Sequence, residues 1–573
     1  MSSQLNPTPV RLLAAVAMSL TLSQVCLAQQ FINETATRFP AQPTLEWTNQ
    51  LTIGDLDNDG DLDIVFANGG NFSSAGTPQF VRVFINDGTG VFTDESATRM
   101  GGHTGLYRGV ELGDVENDGD LDILLVPDFG GRVRLFRNDG NGFFSDATLL
   151  SLPTLLVSSS RGQFGDIDND GDLDIYVVNG GATNRFGCGN SRILINNGVG
   201  IYTDESALRH PPGTICGPMD AIFGDVNNNF NIDIRVAALG NNNSKLYIND
   251  GAGFFTNASA TVPADSTCYS YDFGDINGNG MIDMFGANAL PGNSSDMLIR
   301  NNGDGTWTNV SGQISPNPNV DDNDSKFFDY DNDGDLDLIV ARIGGTPERI
   351  YNNDGNGNFT QVNGLISNVI DSTMDIMVAD LTGNGKLDIV TGQGESGANY
   401  QNKIYINYGP ADTIPPTIGR TEQQEDTLDN DGPYIIRASI TDGMSSDRNF
   451  FDKGIFLNYS HNGGKTQQVP MRYSGGTIYR AALPGQPNGI VEYYVTAIDY
   501  AGNLGTGPTL SFRVGPKTTL GDLNNDGHVD VLDLLILLGA WGDCPPKQPC
   551  PADLNNSGTV DVQDLLILLG NWG

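Results

Sequence analysis

Positive charge is scarce in this 573-residue chain: 30 Lys and Arg stand against 70 Asp and Glu, a formal net charge of -40. A surface of that sign repels phosphate backbones and argues against a nucleic-acid partner. Histidine is limited to four residues, and Gly-x-Ser-x-Gly, His-Glu-x-x-His and Cys-x-x-Cys are missing, so no familiar nucleophile or zinc-hydrolase constellation is visible. Long apolar runs are missing too. The run Leu12 to Leu22, after Arg11 and before Ala28, is too short to span a bilayer and reads as part of a secretory signal over residues 1–28. The run Leu534 to Leu538 is preceded by Asp533 and stopped by Gly539, so no membrane span is expected. Of six Cys, Cys26 falls in the signal, and Cys188, Cys216, Cys268, Cys544 and Cys550 are left for an oxidising compartment. The expected location is outside the cell, at its surface or in a periplasm.

Glycine is plentiful, at 73 residues, and only 17% of the chain is charged, which suits several turn-rich folded domains better than a disordered acidic polymer. The acids recur at fixed offsets inside loops, as carboxylates do when a cation neutralises them. The segment from Gly54, Gly-Asp-Leu-Asn/Asp-rich and ending in Ile64-Val65, returns with leading aspartates Asp55, Asp114, Asp166, Asp225, Asp275, Asp329 and Asp380. Each copy is followed by a β-rich run and then by a second signature with Asn-Gly or Asp-Gly turns, as at Asn86 to Asp94 and Asn249 to Asn257, which predicts hairpins.

These residues resemble the FG-GAP and VCBS repeats of integrin-like proteins, over about residues 31 to 411. The resemblance implies a mainly β fold, a seven-bladed β-propeller over residues 29–411, with units of about 54 residues, enough for four short strands each. Ring closure supports it: the seventh unit stops at Ile406-Asn407-Tyr408-Gly409, while Phe31 to Thr37 is close to Phe92 to Thr98, so the N-terminal strand is expected to complete blade seven.

A hard cation such as Ca²⁺ takes six to eight oxygens, and alternate residues of a tight loop can all face one ion. The expected ligands in loop one are Asp55, Asp57, Asp59, Asp61 and Asp63; in loop two Asp114, Glu116, Asp118, Asp120 and Asp122; in loop three Asp166, Asp168, Asp170, Asp172 and Asp174. Loop six repeats the acidic set with Asp329, Asp331, Asp333, Asp335 and Asp337. Loops four (Asp225, Asn227, Asn229, Asn231, Asp233), five (Asp275, Asn277, Asn279, Met281, Asp283) and seven (Asp380, Thr382, Asn384, Lys386, Asp388) keep only two carboxylates. Their affinity should be weaker, and Phe230 replaces the turn glycine in loop four. Met281 and Lys386 at position 7 imply that a backbone carbonyl coordinates there.

After Pro415-Pro416 the repeat vanishes. Strand-like runs at Tyr434 to Ile440, Gly454 to Tyr459, Thr477 to Ala482 and Val491 to Ile498 predict a β-sandwich over 412–515, and Glu492 to Asn503 resembles the last strands of immunoglobulin- or fibronectin-like domains; a spacer role is expected. Residues 516–573 hold two near-identical halves and resemble a type I dockerin, a small α-helical module of two EF-hand-like calcium loops that implies a cohesin-like partner. Its ligands would be Asp522, Asn524, Asp526, His528 by carbonyl, Asp530 and Asp533, then Asp553, Asn555, Ser557, Thr559 by carbonyl, Asp561 and Asp564. The partner-facing pairs Val531-Leu532 and Val562-Gln563 depart from the usual polar ones, and the Leu-rich helices with Trp541 and Trp572 form either a buried core or an exposed docking face.

Two functions compete: a non-catalytic calcium-bound adhesion or glycan-binding propeller held by its dockerin, and a polysaccharide lyase or glycoside hydrolase delivered by it. Absence of a catalytic constellation favours the first. Ligand residues are expected in the insertions Asn68 to Pro78, Asn179 to Ser191 and Arg209 to Asp220, with Phe72, His103, Arg108, Arg185, Phe186 and His210 as candidates. Cys188 is expected to pair with Cys216 and Cys544 with Cys550, leaving Cys268 free.

Overall fold

The computed structural model describes residues 29–42, 46–181, 183–240, 243–265, 267–289, 295–344, 347–394, 401–442, 452–515, 520–524, 528–545 and 549–573. The expected signal and Asp526 lie outside them. Strand takes 43% of the described residues and helix 8%, so the protein is mainly β. Asn-Gly and Asp-Gly turns divide residues 31–407 into seven sheets of four or five strands, built of antiparallel hairpins, with three two-stranded ribbons beside them among the described residues. The first is Thr48–Gly54, Asp63–Asn68, Arg82–Asn86 and Phe92–Asp94 in that order; the sixth gains a fifth, parallel strand, Ile314–Ser315.

Alternation explains the packing. The first and second strands of each sheet are buried on both faces, as Ile64, Val65, Phe66 and Ala67 show at 0% exposure, because every sheet lies between two others. The first strand of each sheet packs on the first strand of the next, and Thr373–Ala379 of the seventh packs on Thr48–Gly54 of the first. The seventh sheet draws its outer strand from the other end of the chain: Phe31–Asn33 pairs antiparallel with Lys403–Asn407, with Phe31 opposite Asn407. Phe31 is fully buried, its ring 5.9 Å from that of Phe328.

Residues 417–514 form two further sheets. One holds Thr417–Thr421, Tyr434–Thr441, Ile478–Leu483 and Arg472–Gly475; the other centres on Phe456–His461 and Gly489–Ile498. Their facing sides bury Ile436, Leu457, Tyr479, Leu483, Val491, Tyr493 and Val495 together. This module rests on the third and fourth sheets of the ring: Asp166 N donates to Ser474 O at 2.7 Å, and Ile478 joins the apolar cluster of Tyr176, Phe223, Ile232 and Ile234.

The C-terminal segment has two nine-residue helices, Val531–Gly539 and Val562–Gly570, each opened by a reciprocal aspartate capping box, Asp530 with Asp533 and Asp561 with Asp564. Leu537, Leu568, Val529, Val560 and Ala552 make its small core. Cys188–Cys216 and Cys544–Cys550 are disulfide-bonded and Cys268 is a free, buried thiol. No helix of the described residues is long and apolar enough to cross a membrane.

Candidate metal sites

All seven repeat loops leave a first strand and re-enter a second, so the strand ends fix where their side chains point. The position-9 acids (Asp63, Asp122, Asp174, Asp233, Asp283, Asp337 and Asp388) are at most 1% exposed. Each accepts two backbone N–H groups: Asp63 takes those of Asn86 at 2.8 Å and Leu56 at 3.1 Å, and Asp233 those of Asn249 at 2.8 Å and Val226 at 3.2 Å. Burial, the largest cause, pushes the carboxyls of Asp63, Asp122 and Asp233 up to about 8 and that of Asp337 to about 9, against the pull of these hydrogen bonds.

Position 1 closes the loop on itself. Asp114 accepts from the N–H groups of Asp118 and Gly119, and Asp329 from those of Asp333 and Gly334. Position 7 turns its side chain away. Asp120 and Asp172 accept from Asn58 and Asn117 of the preceding loops, each at 2.8 Å, which leaves the position-7 main chain for any ion. Position-5 acids Asp59, Asp118, Asp170 and Asp333 are exposed at the loop tips.

Fit to a cation divides the loops. In loops one, two, three and six, buried carboxylate oxygens have no hydrogen-bond partner: Asp55 Oδ1, Asp57 Oδ1, Glu116 Oε2, Asp168 Oδ1 and Asp331 Oδ1. A buried anionic oxygen without a donor is what a site built for a cation leaves behind. Three of these loops bring three carboxylates within 4.8 Å of one another: Asp55, Asp57 and Asp63; Asp166, Asp168 and Asp174; Asp329, Asp331 and Asp333. In loops four and five an amide fills the gap, Asn227 Nδ2 donating to Asp233 at 3.2 Å and Asn277 Nδ2 to Asp283 at 3.4 Å. Loop seven keeps Asp380, which accepts from Asn384 and Gly385, and leaves Thr382 Oγ1 without a partner. Outside the repeats, Asp412, Asp442 and Asp499 form one further group of the same dimensions.

In the C-terminal segment, Asp533 Oδ1 accepts from the N–H groups of Leu523 and Asn524, and Asp564 Oδ1 from that of Asn555. Burial raises the Asp533 carboxyl, but these bonds and that of Asp530 outweigh it and hold it below the usual range. Asp553 accepts from Ser557 and Gly558. Trp541 and Trp572 stand 48% and 47% exposed, so the apolar helix faces are open rather than packed inside.

The side chains expected on the insertion face are used internally. Arg185 is 1% exposed, its Nη1 2.9 Å from Asp128 Oδ2, and its guanidinium lies against the rings of Phe72 and Phe186 at 5.1 and 4.3 Å, the two rings themselves packing 5.1 Å apart. Arg108 is 4% exposed and also pairs with Asp128. His103 packs on Tyr107 and Phe136, His210 on Tyr176 and Tyr247, and burial lowers both imidazoles. Residue type and loop position pointed outward; the rings and charges found partners inside instead.

Sequence reading missed the asparagine that opens the second signature. Asn86, Asn138, Asn196, Asn249, Asn301 and Asn353 each donate through Nδ2, at 2.7 to 2.9 Å, to a loop carbonyl of the preceding sheet. Asn86 reaches Leu381 of the seventh sheet, and at the last junction Gln30 Nε2 bonds Tyr330 O at 2.7 Å. Its recurrence in every unit was the available signal, read there only as a turn.

Sheets and loops of this kind define a repeat-built β protein with acidic cation-fit loops. More particularly, the chain carries FG-GAP-like repeats, matched by the family model at residues 55–125, 114–177, 275–340 and 329–391, and a C-terminal type I dockerin domain, matched at 520–570. No curated protein matches it in sequence. Among solved structures, the V. cholerae biofilm matrix protein Bap1 is similar over 84% of this chain and 76% of its own, at 14% identity and a TM-score of 0.28, too slight a likeness to argue from.

Proposed function

We propose that the seven sheets are the blades of a calcium-stabilised β-propeller, that residues 412–515 are an immunoglobulin-like sandwich, and that the dockerin fastens both to a cohesin-bearing partner outside the cell. The propeller serves there as an adhesion or glycan-binding module. Orphaned carboxylate oxygens in loops one, two, three and six support calcium, because oxygen-only donor sets suit a hard ion. Asp55, Asp57, Asp114, Glu116, Asp166, Asp168, Asp329 and Asp331 would hold it, with the exposed position-5 acids.

The observation that carries docking is the open apolar face of the two C-terminal helices. Val531, Leu532, Leu535, Ile536 and Leu538 are 42% to 60% exposed, and Val562, Leu566 and Leu569 47% to 63%. An exposed patch of this kind marks an interface, and its composition predicts weak salt dependence. The test is capture of a cohesin-like protein by the full chain in calcium. Asp522→Ala should weaken capture partly, and its combination with Asp553→Ala should abolish it. Failure to capture any cohesin-like protein defeats the docking reading. A glycan array with the full chain tests the propeller, and release of new sugar ends from uronic or neutral polysaccharides would replace adhesion with catalysis.

A further inference from the structure

Loop four departs from its siblings where a cation would matter most. Position 6 is Phe230, at a φ of +66°, where the other loops have Gly60, Gly119, Gly171, Gly280, Gly334 and Gly385, all at positive φ. A bulky side chain is disfavoured in that left-handed region, so something must hold it there. Its ring is in use: the Arg420 guanidinium lies 4.6 Å and that of Arg437 5.7 Å from the ring centre. Both arginines belong to the sandwich.

Arg420 Nη2 donates to Asp225 Oδ2 at 2.7 Å and Nη1 to Asn228 O at 2.6 Å. Arg437 Nη1 donates to Phe230 O at 3.1 Å and Asn231 Oδ1 at 3.0 Å, while Glu422 fixes its other side at 2.8 Å. With Asn227 bonded to Asp233, neither carboxylate of this loop leaves a buried oxygen without a partner among the described residues. The FG-GAP family match also skips this region, ending at 177 and resuming at 275. The residues of loop four do not fit a calcium ion.

We infer that loop four is the docking point for the sandwich, with the guanidinium groups of Arg420 and Arg437 standing in for the metal. The residues then form one set: Asn227 at position 3 removes a charge and turns its amide to Asp233, Asp225 meets Arg420, and Phe230 supplies an aromatic face to both cations. Arg480 adds an anchor next door, its Nη1 3.0 Å from Asp166 of loop three. Because the cation at loop four is part of the chain, chelation cannot remove it. The sandwich stays seated on sheets three and four whatever the calcium level.

The inference rests on the proposal that the other loops take calcium, and the test separates the two. Calcium bound per full-length chain is measured by equilibrium dialysis for the natural protein, Asp55→Asn and Asp225→Asn; hydrogen exchange is followed in peptides covering 161–171 and 474–480. Asp55→Asn should lose one equivalent and Asp225→Asn none. Arg420→Gln with Arg437→Gln should speed exchange at the interface about tenfold, with calcium or chelator alike. Phe230→Gly, which restores the residue the sibling loops tolerate, should do the same without changing the calcium count. Loss of an equivalent in Asp225→Asn, or unchanged interface exchange in both arginine and Phe230 variants, overturns the inference. No loss in Asp55→Asn defeats the calcium proposal instead, and the exchange data then decide the arginine clamp alone.

Discussion

Asp63 and its counterparts at loop position 9 act as staples: each joins the start of its loop to the hairpin corner of the same sheet through two backbone N–H groups. Without metal, burial holds several of these carboxyls near 8, above an unfolded value of about 4. The folded chain then binds more protons than the unfolded one, so stability falls as pH rises. In chelator, the protein should have its higher Tm near pH 5 and lose it progressively towards pH 8; a Tm that rises over that interval contradicts the assignment. Calcium should flatten or reverse the trend, since protons compete with it. Asn138 sits at a junction between sheets, bonded to Leu56 O and Leu121 O while 8% exposed. Asn138→Ala leaves two carbonyls short of a donor and should cost about 2 kcal/mol in urea unfolding.

At the scale of an element, three residues of strand carry the ring closure. Phe31–Asn33 covers the edge of Lys403–Asn407 and brings Phe31 into the cluster with Phe328, Ile339 and Ile376. Removal of residues 31–37 exposes that edge and empties the pocket of Phe31, so aggregation and a lower Tm should follow. A truncated chain that stays monomeric with an unchanged melt would show that closure does not depend on this strand. The dockerin helices make the opposite case, since their exposed leucines add nothing to the module's own core. Leu535→Asp with Leu566→Asp should abolish capture of a cohesin-like partner while leaving the helical signal and calcium response of the C-terminal segment unchanged.

Across the whole molecule, acid loops and basic clamps oppose one another. Arg420, Arg437, Arg480 and Lys453 of the sandwich face the loop side of the ring, Lys453 bonding Asn58 of loop one. A cavity of about 480 Å³ remains between them, lined by Arg161, Met471 and Tyr473 among others. Millimolar Ca²⁺ over chelator should raise Tm strongly, because an ion held by the folded loops as proposed would relieve their clustered charge. An equal Tm in both would sink the calcium reading.

Repetition made the sheets, the hairpin turns and the acidic loops legible from sequence, because each depends on residues close together in one unit, and it made the N-terminal closing strand legible as a copy of a strand in the other units. Periodic Asp and Gly specify a loop locally, and the likeness of Phe31 to Thr37 to Phe92 to Thr98 marks a missing strand without any knowledge of the ring. The disulfide of Cys188 with Cys216 was expected instead from their place in insertions on one face of neighbouring units, and the two lie opposite each other on paired strands. What a side chain faces across the ring was decided only in three dimensions. Arg185 and the two loop histidines turn inward because aromatic rings from distant positions await them, and Asn138 bonds a carbonyl 82 residues away. Phe230 looked like a defect in a calcium loop; two arginines roughly two hundred residues further along make it a contact surface. Such pairings join residues with no common period, so only the packing of sandwich on ring brings them together.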